Sequence, residues 1–146
     1  MAILSRRKRQ SEWSLRAFFE YDRDSVRLVR AQRVRMIAPP GDDVAQFEGR
    51  AGFWYELQDA GSRRLYGRVV DNPMRGSVEV RADDPDKPLR REGLREPRGE
   101  FMLIVPDLPA ATQLVLFSSP LEPARQREPA RLIGQFRLAD VQGKGG

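Results

Sequence analysis

Cysteine and histidine are both absent from the 146 residues of the chain. Without cysteine the protein has no disulfide and offers no thiolate to a metal ion or a substrate. Without histidine it lacks the side chain that most often moves protons in enzymes, so the Ser–His and Cys–His arrangements are excluded. The two absences exclude disulfides, thiolate metal sites, cysteine nucleophiles and every histidine-based catalytic dyad.

Long hydrophobic runs are also missing, and no stretch approaches the roughly 20 apolar residues that a membrane-spanning helix needs. The apolar start of the chain, Met1 to Leu4, is too short for a secretory signal, and basic residues follow it at once. We therefore expect a cytoplasmic protein that does not bind membranes. The length predicts one domain, since domains commonly contain roughly 100–200 residues.

The net charge of +5 is concentrated at the start of the chain. Residues 1–40 contain ten Lys or Arg and four Asp or Glu, whereas residues 41–146 contain sixteen and seventeen. We interpret residues 1–12 as a flexible basic arm, in which the densest cluster is Arg6, Arg7, Lys8 and Arg9. Such a cluster can bind phosphates without sequence specificity. A solvated tail is the simpler interpretation, because no nucleic-acid-binding motif follows the cluster.

Apolar and polar residues alternate with a period of two through most of the chain, which is the pattern of β-strands. Strands separated by Pro, Gly and Asp turns are predicted over residues 13–21, 26–37, 53–58, 65–70, 77–81, 101–105, 113–119 and 132–138. No helix of normal length is predicted. About eight short strands with long connections indicate an all-β fold, an antiparallel two-sheet β-sandwich over residues 13–140. Residues 141–146 are predicted to form a flexible tail.

Two strands break the simple alternation. Arg30 and Gln32 interrupt the apolar face of the second strand, which predicts a bulge there. The run from Leu114 to Phe117 is apolar without interruption, which is typical of a strand buried on both sides.

The segments 53–58 and 65–70 are predicted to form a β-hairpin. We place its loop at Asp59-Ala60-Gly61, with Gly61 in the left-handed conformation that closes a three-residue turn. In this register the apolar residues of both strands share a face, and Glu56 lies opposite Arg64, where their charges attract.

The outward face of this hairpin is the candidate binding surface. In the predicted register Trp54 lies opposite Tyr66, and both point outward with Arg68; Phe18 also points outward from its own strand. Trp, Tyr and Arg dominate the energetics of protein interfaces, so Trp54, Tyr66, Arg68 and Phe18 are predicted to bind another protein. The alternative is that an arm, a loop or a further domain covers these side chains, since exposed aromatic residues are common.

A family resemblance lies in the strand segments 52–59, 65–73, 101–109, 114–118 and 132–138. In their order they resemble bacterial immunoglobulin-like or fibronectin-like accessory domains. The resemblance implies an immunoglobulin-like sandwich with an accessory role. The chain departs from the antibody pattern, because it lacks the paired cysteines and gives Trp54 outward parity.

Other candidate sites have simpler interpretations. The cluster Asp83-Asp84-Pro85-Asp86, alone or with Asp42 and Asp43, offers oxygen ligands to Ca²⁺ but lacks the EF-hand spacing, so we interpret it as a solvated loop. The ending Gly145-Gly146 is found in ubiquitin-like modifiers, but the rest of the chain lacks their strand–strand–helix order. No cofactor or metal site is predicted. No nucleophile–base pair can be assembled, so we expect a protein that is not an enzyme.

Three functions follow from these observations. We favour a non-catalytic protein-binding or adaptor module that recruits, scaffolds or regulates a separately encoded bacterial protein. The second possibility is binding of nucleic acid or an anionic surface through residues 6–35. The third is a structural subunit of a larger assembly, in which neighbouring chains complete exposed strand edges.

Overall fold

The computed structural model describes residues 11–74 and 98–142. Its strands are β1 (Trp13–Asp22), β2 (Ser25–Arg35), β3 (Phe53–Gln58), β4 (Arg64–Val70), β5 (Arg98–Pro106), β6 (Gln113–Ser118) and β7 (Arg131–Arg137). Two 3₁₀ turns (Val44–Phe47 and Pro123–Arg125) and the four-residue helix α1 (Ala139–Gln142) complete the elements of these residues. In this part of the chain no helix is long and apolar enough to span a membrane.

The strands form two antiparallel sheets. One has three strands in the order β2-β1-β5, and the other has four in the order β4-β3-β6-β7. The predicted all-β sandwich without a long helix is confirmed, with seven strands in the described residues. The predicted strand 77–81 lies outside them. The first strand is internal here, whereas the immunoglobulin order A-B-E-D has the second strand there; the resemblance to that family stays a prediction.

Aromatic rings from both sheets meet in the core. Phe19 of β1 stacks on Phe101 of β5 with 5.0 Å between ring centroids. Phe136 of β7 meets Phe19 edge-on at 5.4 Å, and Phe53 of β3 meets Phe101 edge-on at 6.2 Å. Such pairs contribute about 0.5–1.5 kcal/mol each beyond the area they bury, so these rings hold the two sheets together.

One extra residue in β2 reverses the alternation of its side chains. Phe18 pairs with Arg30 and Phe19 pairs with Leu28, so Val29 has no partner on β1. The predicted bulge is confirmed, one residue before Arg30. A bulge shifts the alternation by one residue, so Arg30 lies on the outer face beside Phe18.

The loop between β3 and β4 is longer than predicted. It contains the five residues 59–63, and Ser62 rather than Gly61 has the left-handed conformation, with φ of 65°. The Oδ1 atom of Asp59 accepts hydrogen bonds from the backbone N–H groups of Gly61 and Arg63, both at 2.9 Å. The Asp59 carboxylate therefore stabilises a five-residue loop, which the three-residue prediction did not include.

The longer loop moves the register of the hairpin by two residues, and an extra residue in β4, Leu65, which has no partner on β3, moves it by one more and reverses the faces. Trp54 pairs with Val69 rather than with Tyr66, and Tyr55 pairs with Arg68. Directly opposite residues share a face, so Arg68 and Tyr66 lie on the inner side with Tyr55, whereas Trp54 lies on the outer side. The prediction that Trp54, Tyr66 and Arg68 share one outward face is therefore wrong.

β6 is buried on both sides, as predicted. Leu114, Val115 and Leu116 are all buried although they alternate between the two faces. Leu114 and Leu116 belong to the core between the sheets. Val115 lies on the outer face beside Glu56 of β3, and residues 41–51 contact this face through Val44 and Phe47.

The contact between Gly67 and Val44 anchors that segment. Gly67 is buried in β4, and Val44 begins the first 3₁₀ turn. A Cβ atom on Gly67 would lie 2.8 Å from both Cγ atoms of Val44. Glycine is therefore required at position 67 for residues 41–51 to approach the sheet.

We predict that Gly67→Ala lowers the free energy of unfolding by about 1–3 kcal/mol, because the added methyl group overpacks the contact with Val44. Urea unfolding followed by tryptophan fluorescence measures the change. Gly61→Ala is the control, because the nearest atom to its added Cβ lies at 3.6 Å, an ordinary contact distance; we expect a change within about 0.5 kcal/mol. Equal losses in both variants would contradict this account.

Candidate functional site

The outer face of the four-stranded sheet is covered by the chain itself. Trp54 lies on this face and is only 2% exposed. Its ring stacks on Phe117 at 5.7 Å and meets Phe47 at 6.2 Å between centroids. Phe47 belongs to residues 41–51, so the alternative that a loop covers Trp54 is confirmed. Trp54 is a core residue of this face and is not available to a partner.

A row of polar side chains crosses the same sheet. Glu56 is 3% exposed, and its Oε2 atom lies 3.0 Å from Nε of Arg64. The predicted ion pair is present, but its predicted register is wrong, because Glu56 lies opposite Gly67 and Arg64 lies opposite Gln58. Gln58 donates to Glu56 at 2.9 Å, Gln113 donates to Gln58 at 2.8 Å, and Gln135 donates to Gln113 at 2.6 Å. The buried carboxylate is therefore paired by the chain's own side chains, which is the condition for burying a charge. These polar contacts stabilise the four-stranded sheet and leave no reason to assign them a binding role.

Tyr66 and Arg68 lie at the rim between the two sheets. The Tyr66 hydroxyl donates to the carbonyl of Pro39 at 2.7 Å, and the Tyr55 hydroxyl donates to the carbonyl of Ile104 on β5 at 3.0 Å. The positive charge of Arg68 lies near the Tyr55 hydroxyl and acts to lower its pKa, against the larger effect of burial. Burial raises the pKa of Tyr66 to about 12, and burial also raises the pKa of Tyr55. These groups therefore join the sheets and the loop before the first 3₁₀ turn.

The raised pKa of Tyr66 predicts a loss of stability in alkali. Its ordinary value is 10.0 and its value in the folded chain is about 12, so between these pH values the unfolded chain loses the proton that the folded chain keeps. The free energy of unfolding should therefore be unaffected by this group below pH 10.0 and fall as the pH rises to about 12. Tyr66→Phe should make the fall less steep, leaving the part due to Tyr55. Urea unfolding across this range measures both slopes, and identical slopes would contradict the assignment.

The outer face of the three-stranded sheet, unlike that of the four-stranded sheet, has exposed apolar side chains. Phe18 lies on it in a row between Arg30 of β2 and Met102 of β5. Met102 is 41% exposed and the bulged Val29 is 38% exposed. A shallow groove of about 470 Å³ is present here, and its lining includes Phe18, Glu20, Val29, Arg30, Glu100 and Met102. Apolar side chains are therefore accessible on this face of the described chain.

The arginines of this sheet divide into two groups. Four are within ion-pair distance of carboxylates: Arg27 with Glu20, Arg33 with Asp107, Arg35 with Glu12 and Arg98 with Asp22. Arg16 and Arg30 have no carboxylate partner among residues 11–74 and 98–140. The Nε atom of Arg16 is buried and has no hydrogen-bond partner there, and Cζ of Arg30 lies 3.9 Å from the centroid of the Phe18 ring.

We call this surface the β1 face and define it by Arg16, Phe18, Val29, Arg30 and Met102. The sequence prediction included Phe18 and missed the other four. Arg16 shares the parity of Phe18 on one strand, so the sequence contained a signal for it. Arg30 and Met102 join the face only through the pairing of three strands, and Val29 only through the bulge.

The remaining candidate sites from the sequence are not placed by the structure. Arg6, Arg7, Lys8 and Arg9, the cluster Asp83-Asp84-Pro85-Asp86 and Gly145-Gly146 lie outside the described residues, so the hypotheses about them stay predictions. Within the described ranges no group of three or more Asp or Glu is placed to hold a metal ion. Comparison of the sequence with models of known protein families and with curated proteins finds no match.

The two outer faces predict losses of stability of different size when an aromatic ring is removed. Trp54→Ala should lower the free energy of unfolding by about 3–5 kcal/mol, because it empties a buried site. Phe18→Ala should lower it by about 1 kcal/mol or less, because its ring lies on the accessible β1 face. Thermal and urea unfolding, followed by circular dichroism, measure both changes. A loss in Phe18→Ala as large as that in Trp54→Ala would show that the β1 face is buried.

Proposed function

We propose that the protein is a non-catalytic protein-binding module and that the β1 face is its binding surface. The observation that supports this proposal is the exposed pair Met102 and Val29 around the half-buried Phe18, beside two arginines without carboxylate partners in the described chain. Aromatic residues, Met and Arg are the types enriched in protein interfaces. The partner is a separately encoded protein, which the module recruits, scaffolds or regulates.

Rigidity of the β1 face supports a binding role. Phe18 and Arg16 extend from β1, the central strand of its sheet, and the strands on both sides hold its backbone. The stacking of Arg30 on Phe18 restricts both side chains before a partner arrives. A surface restricted in this way loses less conformational entropy on binding than a flexible loop would.

Binding of nucleic acid is the second candidate function. Its strongest residues, Arg6 to Arg9, lie outside the described chain. In the described part of residues 6–35, Arg27, Arg33 and Arg35 are each paired with a carboxylate. Fewer free cations remain for a phosphate backbone than the count of arginines suggests, so we favour the protein partner.

Completion of a strand edge by a neighbouring chain is the third candidate. The edge strand β2 has eleven residues, which is long enough to pair with another strand. It also contains four arginines and a bulge at Val29. Edge charges and bulges are features that discourage such pairing, so a structural subunit joined through β2 is the less favoured alternative.

The test of the protein-binding proposal is capture of a partner by the intact chain. We predict that the double variant Phe18→Ser/Met102→Ser loses a protein that the wild type retains from an extract of the source organism, because both apolar contacts are removed. Mass spectrometry identifies the retained proteins. Unfolding measurements should show a melting temperature close to that of the wild type.

The matched control is Leu132→Ser, which removes a 51% exposed apolar side chain from the other sheet. It should retain the same partner. Loss of the partner in the control, or its retention by the double variant, would contradict the assignment of the β1 face. Capture that disappears with residues 1–12 and weakens steeply with salt would favour the nucleic-acid or anionic-surface alternative instead.

A further inference from the structure

We propose that the partner segment bound by the β1 face contains an acidic side chain, and that Arg16 and Arg30 together bind its carboxylate. The inference rests on the proposed function and specifies the chemistry of the partner. The partner is a protein segment in which a Glu or Asp is flanked by apolar residues.

The first argument is the isolation of the two arginines. Every other arginine on the three strands of this sheet has a carboxylate within ion-pair distance. Arg16 and Arg30 lack one among the described residues, and both lie on the same face. Paired surface charges are the pattern of this sheet, so Arg16 and Arg30 are the two cations of its described residues that no carboxylate of the described chain neutralises.

The second argument is the buried Nε–H of Arg16. It has no acceptor in the described chain, and a buried donor without an acceptor is costly and rare in native structures. Arg16 pairs with Gln32 and Arg30 pairs with Phe18, so the two arginines are diagonal neighbours. Residues in that relation are roughly 7–8 Å apart. A carboxylate between the two guanidinium groups would remove the repulsion between two like charges.

The geometry of the groups favours a carboxylate. The guanidinium group presents parallel N–H donors that match the two oxygens of a carboxylate. The guanidinium group of Arg30 is held against the Phe18 ring, which restricts its orientation. Its N–H donors lie at the edge of the guanidinium plane. Arg16 lies one row away on the central strand.

The neighbouring charges favour a single carboxylate over a nucleic-acid backbone. Glu20 and Glu100 lie opposite each other and line the same groove. Glu20 is paired with Arg27, whereas Glu100 has no ion-pair partner in the described ranges. A chain of phosphates crossing the groove would meet these carboxylates and be repelled. A segment with one acidic residue between apolar ones would contact Met102 and Val29 instead.

The experiment uses two blocked peptide probes with the full chain. One is acetyl-Leu-Phe-Glu-Phe-Leu-amide, and the other has Gln in place of Glu. Arginine Nε–H resonances of the ¹⁵N-labelled protein are followed during titration. We expect the Glu probe to shift the signals of Arg16 and Arg30 and to bind about tenfold more tightly than the Gln probe, because hydrogen bonds to charged groups are the stronger ones.

A double-mutant cycle assigns this preference to the two arginines. Arg16→Gln and Arg30→Gln should each reduce the preference for the Glu probe, and the double variant should abolish it. Arg98→Gln is the control, because Arg98 lies on the same sheet and is already within reach of Asp22. It should keep the full preference. Equal binding of both probes, absence of shifts at both arginines, or an equal loss in the control would overturn the inference.

Two further results separate the alternatives. Tighter binding of a single-stranded oligonucleotide than of the Glu probe at these arginines would replace the inferred partner with a nucleic acid. If the probes fail while Phe18→Ser/Met102→Ser loses the captured protein, the β1 face binds a partner without recognising a carboxylate. If both experiments fail, the proposed function fails as well.

A stability measurement distinguishes a binding role of Arg16 from a structural one. Arg16→Met removes the unpaired donor and keeps an unbranched apolar stem of comparable length. Because the donor has no acceptor in the described chain, the variant should unfold at the same or a higher urea concentration than the wild type. A lower midpoint would show that Arg16 stabilises the fold and would overturn its assignment as a binding residue.

Discussion

The packing of aromatic rings in the core between the sheets determines which side chains are available on the surface. Phe19 is held in the core by Phe101 and Phe136. Successive side chains of a strand point to opposite faces, so Phe18 and Arg16 must point outward once Phe19 points inward. A slip of β1 by one residue would exchange these sets and separate the rings. The β1 face is therefore a consequence of the packing of the core behind it.

Each sheet has an aromatic side chain on its outer face, and the two differ in how the chain covers them. Trp54 and Phe18 both point away from the core, but residues 41–51 cover only the sheet that contains Trp54. Covering Trp54 adds the stabilisation of a buried aromatic side chain to the fold. Phe18 and Met102 contribute less to the stability of the free protein because they lie on the accessible face. Binding of a partner would provide the burial that the described chain provides for Trp54.

The sequence predicted the fold better than the register. Period-two alternation located the strands of the described residues, the uninterrupted apolar run identified β6 as buried on both sides, and the polar interruption at Arg30 located the bulge in β2 within one residue. These features depend on local patterns. The β3–β4 register depends on the five-residue loop, which the Asp59 carboxylate stabilises by accepting two backbone N–H groups, and on the extra residue Leu65 in β4. Neither the Asp59 contact nor the bulge is visible in the preference of Gly61 for the left-handed conformation.

The same distinction applies to the candidate site. The chain has 23 arginines and three lysines, and their number does not separate structural charges from binding charges. The separation requires the distances to carboxylates, and these place Arg16 and Arg30 apart from the other arginines of their sheet. Arg30 reaches this position only because Val29 bulges, since regular alternation with Leu28 would direct its side chain toward the core. One extra residue in an edge strand thus places a charged group on the surface, against Phe18 and beside Arg16.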